Sequence, residues 1–310
     1  MILCLGTTPA AQRVMIFPTL ALDQVNRATR TLDGAAGKSI NVAKVLQDLG
    51  AKPFALTFLG GPRGDQLLAL LQKRGVDIEA VTVAAPTREC VTVIDEAAGT
   101  ITELVEESQP VAAGHYDALL AMVERRLPGM QAVVMSGTIA QGGPAHLYQR
   151  CTQLAHQAGA LTVIDASGAP LLEALTAGPY LVKPNRAELE NTFGRQLRAE
   201  NELVAAMREL QARGARRVVI TAGSESALAC DGEQLWRVVP PQIAALNPIG
   251  SGDAFTAAMA WRLIQGDALD QACRWGSAAG AANALTPMAG EVRREDVEAL
   301  VGEVRVDRFQ

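Results

Sequence analysis

Short apolar runs alternate with amphipathic stretches along most of the chain. "MILCL", "ALTFL", "AVVMS", "LTVID", "YLVK" and "RVVIT" are continuously apolar. That is the pattern of strands buried on both faces. Between them, "KSINVAKVLQDLG", "GDQLLALLQKRG", "YDALLAMVERRL", "PAHLYQRCTQLAHQAG" and "ENELVAAMRELQARG" place apolar residues at helical i, i+3, i+4 spacing. Several end in Lys or Arg followed by Gly, a helix stop signal. The alternation predicts an α/β fold with a mostly parallel sheet covered by helices. Two regions break it, residues 12–35 and Glu89 to Glu107. The second, "ECVTVIDEAAGTITELVEE", reads as two strands around "EAAG", a hairpin signal. These regions, about 12–35 and 88–107, are expected to form a small β-sheet projecting from the main one. No repeat, low-complexity tract or flexible linker divides the chain, so residues 1–310 are read as a single domain.

Composition narrows the class. The 310 residues carry a net charge of -5 and no Lys/Arg-rich run, so no nucleic-acid partner is expected. No apolar run reaches the roughly 18 residues that a membrane helix needs. "MILCLGTTPAAQRV" lacks a basic leader and reads as a first strand, which points to a cytoplasmic protein. The five cysteines, at 4, 90, 151, 230 and 273, are scattered and read as reduced core thiols. With three histidines and no CxxC pair, a structural zinc site is not expected.

The densest chemistry lies in "NPIGSGDAFTAAMAW", Asn247 to Trp261. Gly250 and Gly252 flank Ser251, and Asp253 follows at the start of an uncharged helix. Ligands of doubly wound sheets bind where loops lead from strand ends into helices. Successive amides at such a helix start attract an anion. Asp253 then faces the place where negative charge collects. Phosphoryl transfer to a hydroxyl needs both an anion hole and a carboxylate that orients the hydroxyl and takes its proton. The plainer reading makes Asp253 a helix cap and the glycines a turn. Further along the same lines, "GAAGKSINVAKVLQDLG" places Gly37 and Lys38 at a second helix start, with Asn41 one turn in. "KPNRAELE" carries Lys183 and, at N-x-x-E spacing, Asn185 and Glu188. On a helix these two share a face and offer hard oxygen atoms to a hydrated Mg²⁺. "TAGSESALAC", Thr221 to Cys230, reads as strand, glycine turn and strand.

Taken together, these stretches resemble the ribokinase-like superfamily of small-molecule kinases, the PfkB carbohydrate kinase family. "GAAGKSINVAKVL" is similar to its N-terminal signature and "NPIGSGDAF" to its C-terminal one. "KPNRAELE", "TAGSESAL", "SGTIAQGGP" and "DASG" match further landmarks, in order, over nearly the whole chain. The resemblance implies a three-layer α/β/α doubly wound sheet with a projecting β-lid, and commonly a homodimer formed through the lids. It implies ATP and Mg²⁺ as cofactors, with Asp253 as catalytic base and Gly250, Ser251 and Gly252 as the anion-hole loop. Lys183, Asn185, Thr221, Gly223, Ser224, Gly252 and Asn283 fall at the nucleotide site, with Asn185 and Glu188 holding the metal through water.

"LDQVNR", "PTRECVTVID" and "TELVEES" resemble the branch that phosphorylates an already phosphorylated sugar, 1-phosphofructokinase and tagatose-6-phosphate kinase. Gln12, Gly37, Lys38, Asn41, Arg88, Glu103 and Ser136 then face a ketohexose phosphate, with Lys38 and Arg88 on its phosphate. Against this, Arg88 and Lys38 also read as solvated charges, although a first-turn lysine opposes the helix dipole. One departure stands out. Close relatives show "NPAID" where this chain has "TTPAAQR", so Gln12 replaces an aspartate that binds sugar hydroxyls. That leaves room for a kinase of an unphosphorylated sugar or a nucleoside, and for a non-catalytic sugar-phosphate sensor.

Overall fold

The computed structural model describes residues 1–309. In chain order the elements are β1 (Ile2–Leu5), β2 (Ala10–Phe17), β3 (Arg30–Ala36), α1 (Lys38–Asp48), β4 (Pro53–Leu59), α2 (Gly61–Arg74), β5 (Asp77–Thr82), β6 (Arg88–Asp95), β7 (Thr100–Val105) and α3 (Ala113–Arg126). There follow β8 (Ala132–Ser136), α4 (Leu147–Gln157), β9 (Leu161–Asp165), α5 (Gly168–Leu175), β10 (Leu181–Val182), α6 (Arg186–Phe193), α7 (Glu200–Ala212) and β11 (Arg217–Ala222). The last are β12 (Glu225–Asp231), β13 (Gln234–Val239), α8 (Ser251–Ile264), α9 (Leu269–Ala284), α10 (Arg294–Val301) and β14 (Arg305–Arg308).

Ten strands form one sheet in the order β14-β13-β12-β11-β10-β9-β8-β1-β4-β5. From β11 to β5 every pairing is parallel. From β11 outward through β14 the pairings are antiparallel, an extension the apolar pattern does not announce beyond β12. Helices cover both faces. In β1, Ile2 and Cys4 point into a core shared with α1, α2, α8, α9 and α10. Leu3 and Leu5 point the other way, into a core with α3, α4, α5 and α7. This two-sided burial is why the central strands read as unbroken apolar runs. Small residues on α8, Ala254, Ala257, Ala258 and Ala260, are sealed from solvent. They let α8 lie close under α1 and α9. Gly276 of α9 has no room for a methyl group, which would meet the Phe255 ring at 2.8 Å.

A separate four-stranded sheet, in the order β3-β2-β6-β7, forms the lid. Its first strand begins at Ala10, so the N-terminal apolar stretch is two strands in two different sheets. The reason lies in residues 6–9, which carry the chain out of the main sheet across the site. On the lid's inner face Gln12, Val14 and Ile16 stand in register with Cys90, Thr92 and Ile94. Val14, Ile16 and Ile94 close on Met288 from the loop after α9, so the lid is anchored by a small apolar contact of its own. No helix among the described residues is long and apolar enough to cross a membrane.

Leu46, fully buried where α1 meets the sheet, tests this packing. Leu46→Ala is expected to lower unfolding free energy by about 2–5 kcal/mol in urea denaturation. A loss below about 1 kcal/mol would mean that α1 is not packed as described.

Candidate active site

The main sheet winds outward in two directions from β1, toward β4 and β5 on one side and toward β8 to β11 on the other. This switch point leaves a crevice at the C-terminal ends of the strands. Ser136 ends β8 and Asp165 ends β9, level with each other. Lys183 follows β10. The N-termini of α1 and α8 face them, and the lid lies across the top.

At α8 the helix cap is Gly250 itself, with φ 86°. A side chain there would clash as well as strain, because its Cβ would lie 2.7 Å from the Gly290 amide nitrogen. Asp253 is the third helical residue and makes no capping hydrogen bond, so the plainer reading of it as a cap does not hold. It is buried, and Asn41 Nδ2 donates to its Oδ2 at 2.7 Å. Ser251 N donates to the Pro248 carbonyl and Ala254 N to that of Gly250. Among the described residues the Gly252 and Asp253 amides have no partner, as first-turn donors do not within a helix. The anion loop therefore has fewer open amides than the sequence suggests, since that of Ser251 is engaged. Gly252 is exposed, and a Cβ on it would come within 3.9 Å of Lys183 Nζ. An anion on this loop would have that ammonium close by.

Gly37 caps α1 with φ 102°. It must be glycine, because a Cβ would press against Pro9 Cα at 2.8 Å. Lys38 follows, and its ammonium lies between two carboxylates, 2.5 Å from Glu188 Oε1 and 3.3 Å from Asp165 Oδ1. Its partners thus lie at the end of β9 and on α6 rather than on the lid. Asp165 is the hub. It also receives Lys183 at 3.0 Å and the Thr256 hydroxyl at 2.9 Å. Burial pushes its pKa up, but Lys183 and Lys38 outweigh that and hold it below the usual carboxylate range. For Lys38, burial opposes the charge, while Asp165, Glu188 and Asp253 drive its pKa well above the ordinary lysine value. Asp253 differs. Burial, reinforced by Asp165, pushes its pKa up to about 7, against the pull of Lys38, Asn41 and Lys183. Sequence reasoning assigned no role to Asp165 or Thr256. The available signal was an aspartate at the C-terminal end of an apolar strand, "LTVID".

Asn185 and Glu188 do not share a helix face. Asn185 stands before α6 as its cap and accepts from Glu188 N at 2.8 Å, while Glu188 Oε2 accepts from Asn185 N at 2.9 Å. This reciprocal capping box fixes Glu188 toward the crevice. No group of three acidic, His or Cys side chains suited to a metal occurs among the described residues. Lys38 and the capping box already engage both Glu188 oxygens and Asn185 Oδ1, so these residues would meet a cation such as Mg²⁺ through its water.

Beside α6, Thr221 bridges to Asn185, and Gly223 makes the turn between β11 and β12 with φ 62°. Ser224 is exposed in that turn. Asn283 is fully buried. It donates to the Ile249 carbonyl at 2.9 Å and accepts from Gly290 N at 2.8 Å, so it braces the Gly250 loop and does not line an open pocket.

Toward the lid, buried polar atoms lack partners among the described residues: both amide atoms of Gln12, Asn41 Oδ1, Ser136 Oγ and Thr92 Oγ1. Orphaned buried polar atoms are costly, and a hydroxylated ligand would satisfy them. Arg88 donates to the Thr8 carbonyl at 3.2 Å and the Glu106 carbonyl at 3.3 Å. It lines a cleft with Thr7, Thr8, Thr87 and Ser108. Burial pushes the Glu103 pKa up and Arg88 pulls it down.

A carboxylate held beside open helix-start amides and two ammonium groups, under a polar lid, defines a phosphotransferase of small molecules. The family model for pfkB family carbohydrate kinases matches residues 1–294, and the chain belongs to that family. It is 34% identical to the 1-phosphofructokinase of Xanthomonas campestris pv. campestris, over 90% of this chain and 92% of that one. It is 27% identical to the tagatose-6-phosphate kinase of Staphylococcus epidermidis, over 99% of each. The structure of Escherichia coli phosphofructokinase-2 in complex with fructose-6-phosphate superposes with a TM-score of 0.86, at 28% identity over 97% of each chain.

The raised pKa of Asp253 has a stability consequence. A carboxyl whose folded pKa lies above its unfolded one stabilises the fold while protonated, and that contribution is lost as pH rises through about 7. Asp253→Asn removes the penalty, roughly 1.4 kcal/mol for each unit of displacement. Its gain in Tm over the unmodified protein should be larger at pH 8.5 than at pH 4.5. A gain independent of pH would show that the carboxylate is not penalised.

Proposed function

We propose that the chain is an ATP-dependent kinase that transfers the γ-phosphoryl group to a hydroxyl of a ketohexose phosphate. The observation that carries this is Asp253, buried and held by Asn41 beside the exposed Gly252. The nucleotide lies along Thr221, Gly223 and Ser224, with its phosphates toward Lys183 and the Gly250–Gly252 loop. Asn185 and Glu188 would hold hydrated Mg²⁺, which would neutralise phosphate charge when bound. The Gly252 and Asp253 amides and the Lys183 ammonium oppose the charge on the moving phosphoryl group. Lys38, freed from Glu188, reaches the same charge or the acceptor's phosphate. Asp253 orients the acceptor hydroxyl and takes its proton, and a pKa near 7 suits a base at neutral pH. Gln12, Asn41 and Ser136 meet the sugar hydroxyls, and Arg88 meets its phosphate. Lid closure excludes water, which would otherwise accept the phosphoryl.

A second reading, a kinase for an unphosphorylated sugar or a nucleoside, rests on Gln12. Its buried amide is neutral and both donates and accepts, unlike the aspartate of the resembling branch. The protein also pairs as a homodimer through its lids. Leu104 and Val105 of β7 are exposed on an edge strand, and such an edge is prone to pairing. Light scattering at micromolar concentration should give twice the 32.7 kDa chain mass, and a monomer would refute the pairing.

The deciding experiment is ADP release with Mg·ATP on fructose 1-phosphate, tagatose 6-phosphate and fructose 6-phosphate, beside free fructose, ribose and adenosine. One phosphosugar should turn over, and Asp253→Asn should lower kcat by about 10²–10⁴ while ATP still binds. Turnover only of an unphosphorylated acceptor favours the second reading. No turnover, with Tm raised by sugar phosphates, makes the chain a non-catalytic binder. Arg88→Met should raise KM for the phosphosugar about tenfold and leave KM for ATP unchanged. An unchanged sugar KM would remove Arg88 from the phosphate.

A further inference from the structure

Lys44 lies one turn beyond Asn41 on α1 and is only 2% exposed. Among the described residues its ammonium touches no carboxylate. It donates to the Ala35 carbonyl at 2.8 Å and to the Ala289 carbonyl at 2.7 Å. The charges around it are engaged elsewhere. Arg74 binds Asp48 at 2.7 Å and Glu291 at 2.9 Å, and Asp253 is held by Asn41. An ammonium buried without a counterion costs several kcal/mol, and a methionine would fill similar space without that cost. Burial accordingly pushes the Lys44 pKa down to about 8, with Arg74 adding to the fall and Glu291, Asp48 and Asp253 opposing it.

What the ammonium joins suggests why it is there. Ala35 is at the end of β3, where the lid strand runs into Gly37 and Lys38. Ala289 precedes Gly290, which packs so tightly on Asn41 that a Cβ would lie 2.6 Å from the Asn41 Cβ. The Gly290 amide is held by Asn283, and its nitrogen is the atom that a side chain on Gly250 would strike at 2.7 Å. One cation thus ties the root of the lid to the loop that backs both Asn41 and Gly250.

We propose that Lys44 is a positioning residue that couples the lid to the phosphoryl-transfer site, its charged ammonium clamping the Ala35 and Ala289 carbonyls so that Gly290 holds Asn41 and Gly250 in place. The catalytic part of this inference rests on the kinase reading. The clamp itself does not.

The test compares the unmodified protein with Lys44→Met and Lys44→Arg. Hydrogen exchange is read in the segment 284–292 without any substrate. Lys44→Met should exchange at least about tenfold faster there, with segment 61–74 unchanged. In turnover, Lys44→Met should lose about tenfold or more in kcat, on the scale of displaced catalytic groups, while its urea stability stays level or rises. The unmodified protein should lose kcat as pH rises through about 8, and Lys44→Arg should not. Over the same range the sign of linkage is opposite for stability. A lysine with a lowered folded pKa sheds its proton first in the folded state, so stability relative to Lys44→Met rises with pH. A merely structural lysine would not move activity and stability in opposite directions. Unchanged exchange in Lys44→Met overturns the clamp whatever the activity. Faster exchange with unchanged kcat and no alkaline limb overturns the coupling to catalysis. If the unmodified protein turns over no acceptor, the kinase reading fails and the coupling to catalysis falls with it, while the exchange result still decides the clamp.

Discussion

The site is organised around one hydrogen bond, from Asn41 Nδ2 to Asp253 Oδ2 at 2.7 Å. It joins the first turns of α1 and α8 through two residues 212 apart in sequence. Placing a carboxylate there is expensive, because the side chain is buried and Asp165 is near. The surroundings make the placement possible. Alanines on α8 bring the helix close, Gly250 turns the chain left-handed into it, and Gly290 lets Asn41 pass. The outcome is a carboxyl group whose pKa is pushed up to about 7.

Around that pair the charges form a graded set. Asp165 stays ionised because Lys183 and Lys38 bracket it, and Thr256 supplies a further donor. Asp253, with one amide donor and more distant cations, is driven the other way. Two aspartates in one crevice thus hold protons very differently, which is how neighbouring carboxyl groups come to take different roles. The same contrast runs through the lysines. Lys38 is held charged by carboxylates, whereas Lys44 bonds two carbonyls and gives up its proton more easily. Membership in the pfkB carbohydrate kinase family agrees with this arrangement, since phosphoryl transfer relies on positioned charge more than on covalent chemistry.

Much of the architecture could be read along the chain. Apolar runs such as "AVVMS" marked strands buried twice, and "EAAG" marked the lid hairpin. The two glycine-rich helix starts marked the site. The readings that needed revision share a cause. "KPNRAELE" reads as one helix face, yet Asn185 is a cap, because the helix begins one residue later than periodicity can tell. Asp253 suited a cap equally well, until Gly250 proved to occupy that position. Asp165 went unassigned because an aspartate after a strand has no local partner to give it meaning.

The sequence alone determined which residues were available and where loops had to meet helices. Hydrophobic period, glycine placement and family-like order depend on neighbours a few positions away. Only the tertiary structure decided which charges face one another. Lys38 between Asp165 and Glu188, Lys44 between two carbonyls and the Asn41 bond to Asp253 all arise from segments more than a hundred residues apart, apart from the short link to Ala35. Coulomb and desolvation energies depend on distance and burial in space, and neither is written into local order along the chain.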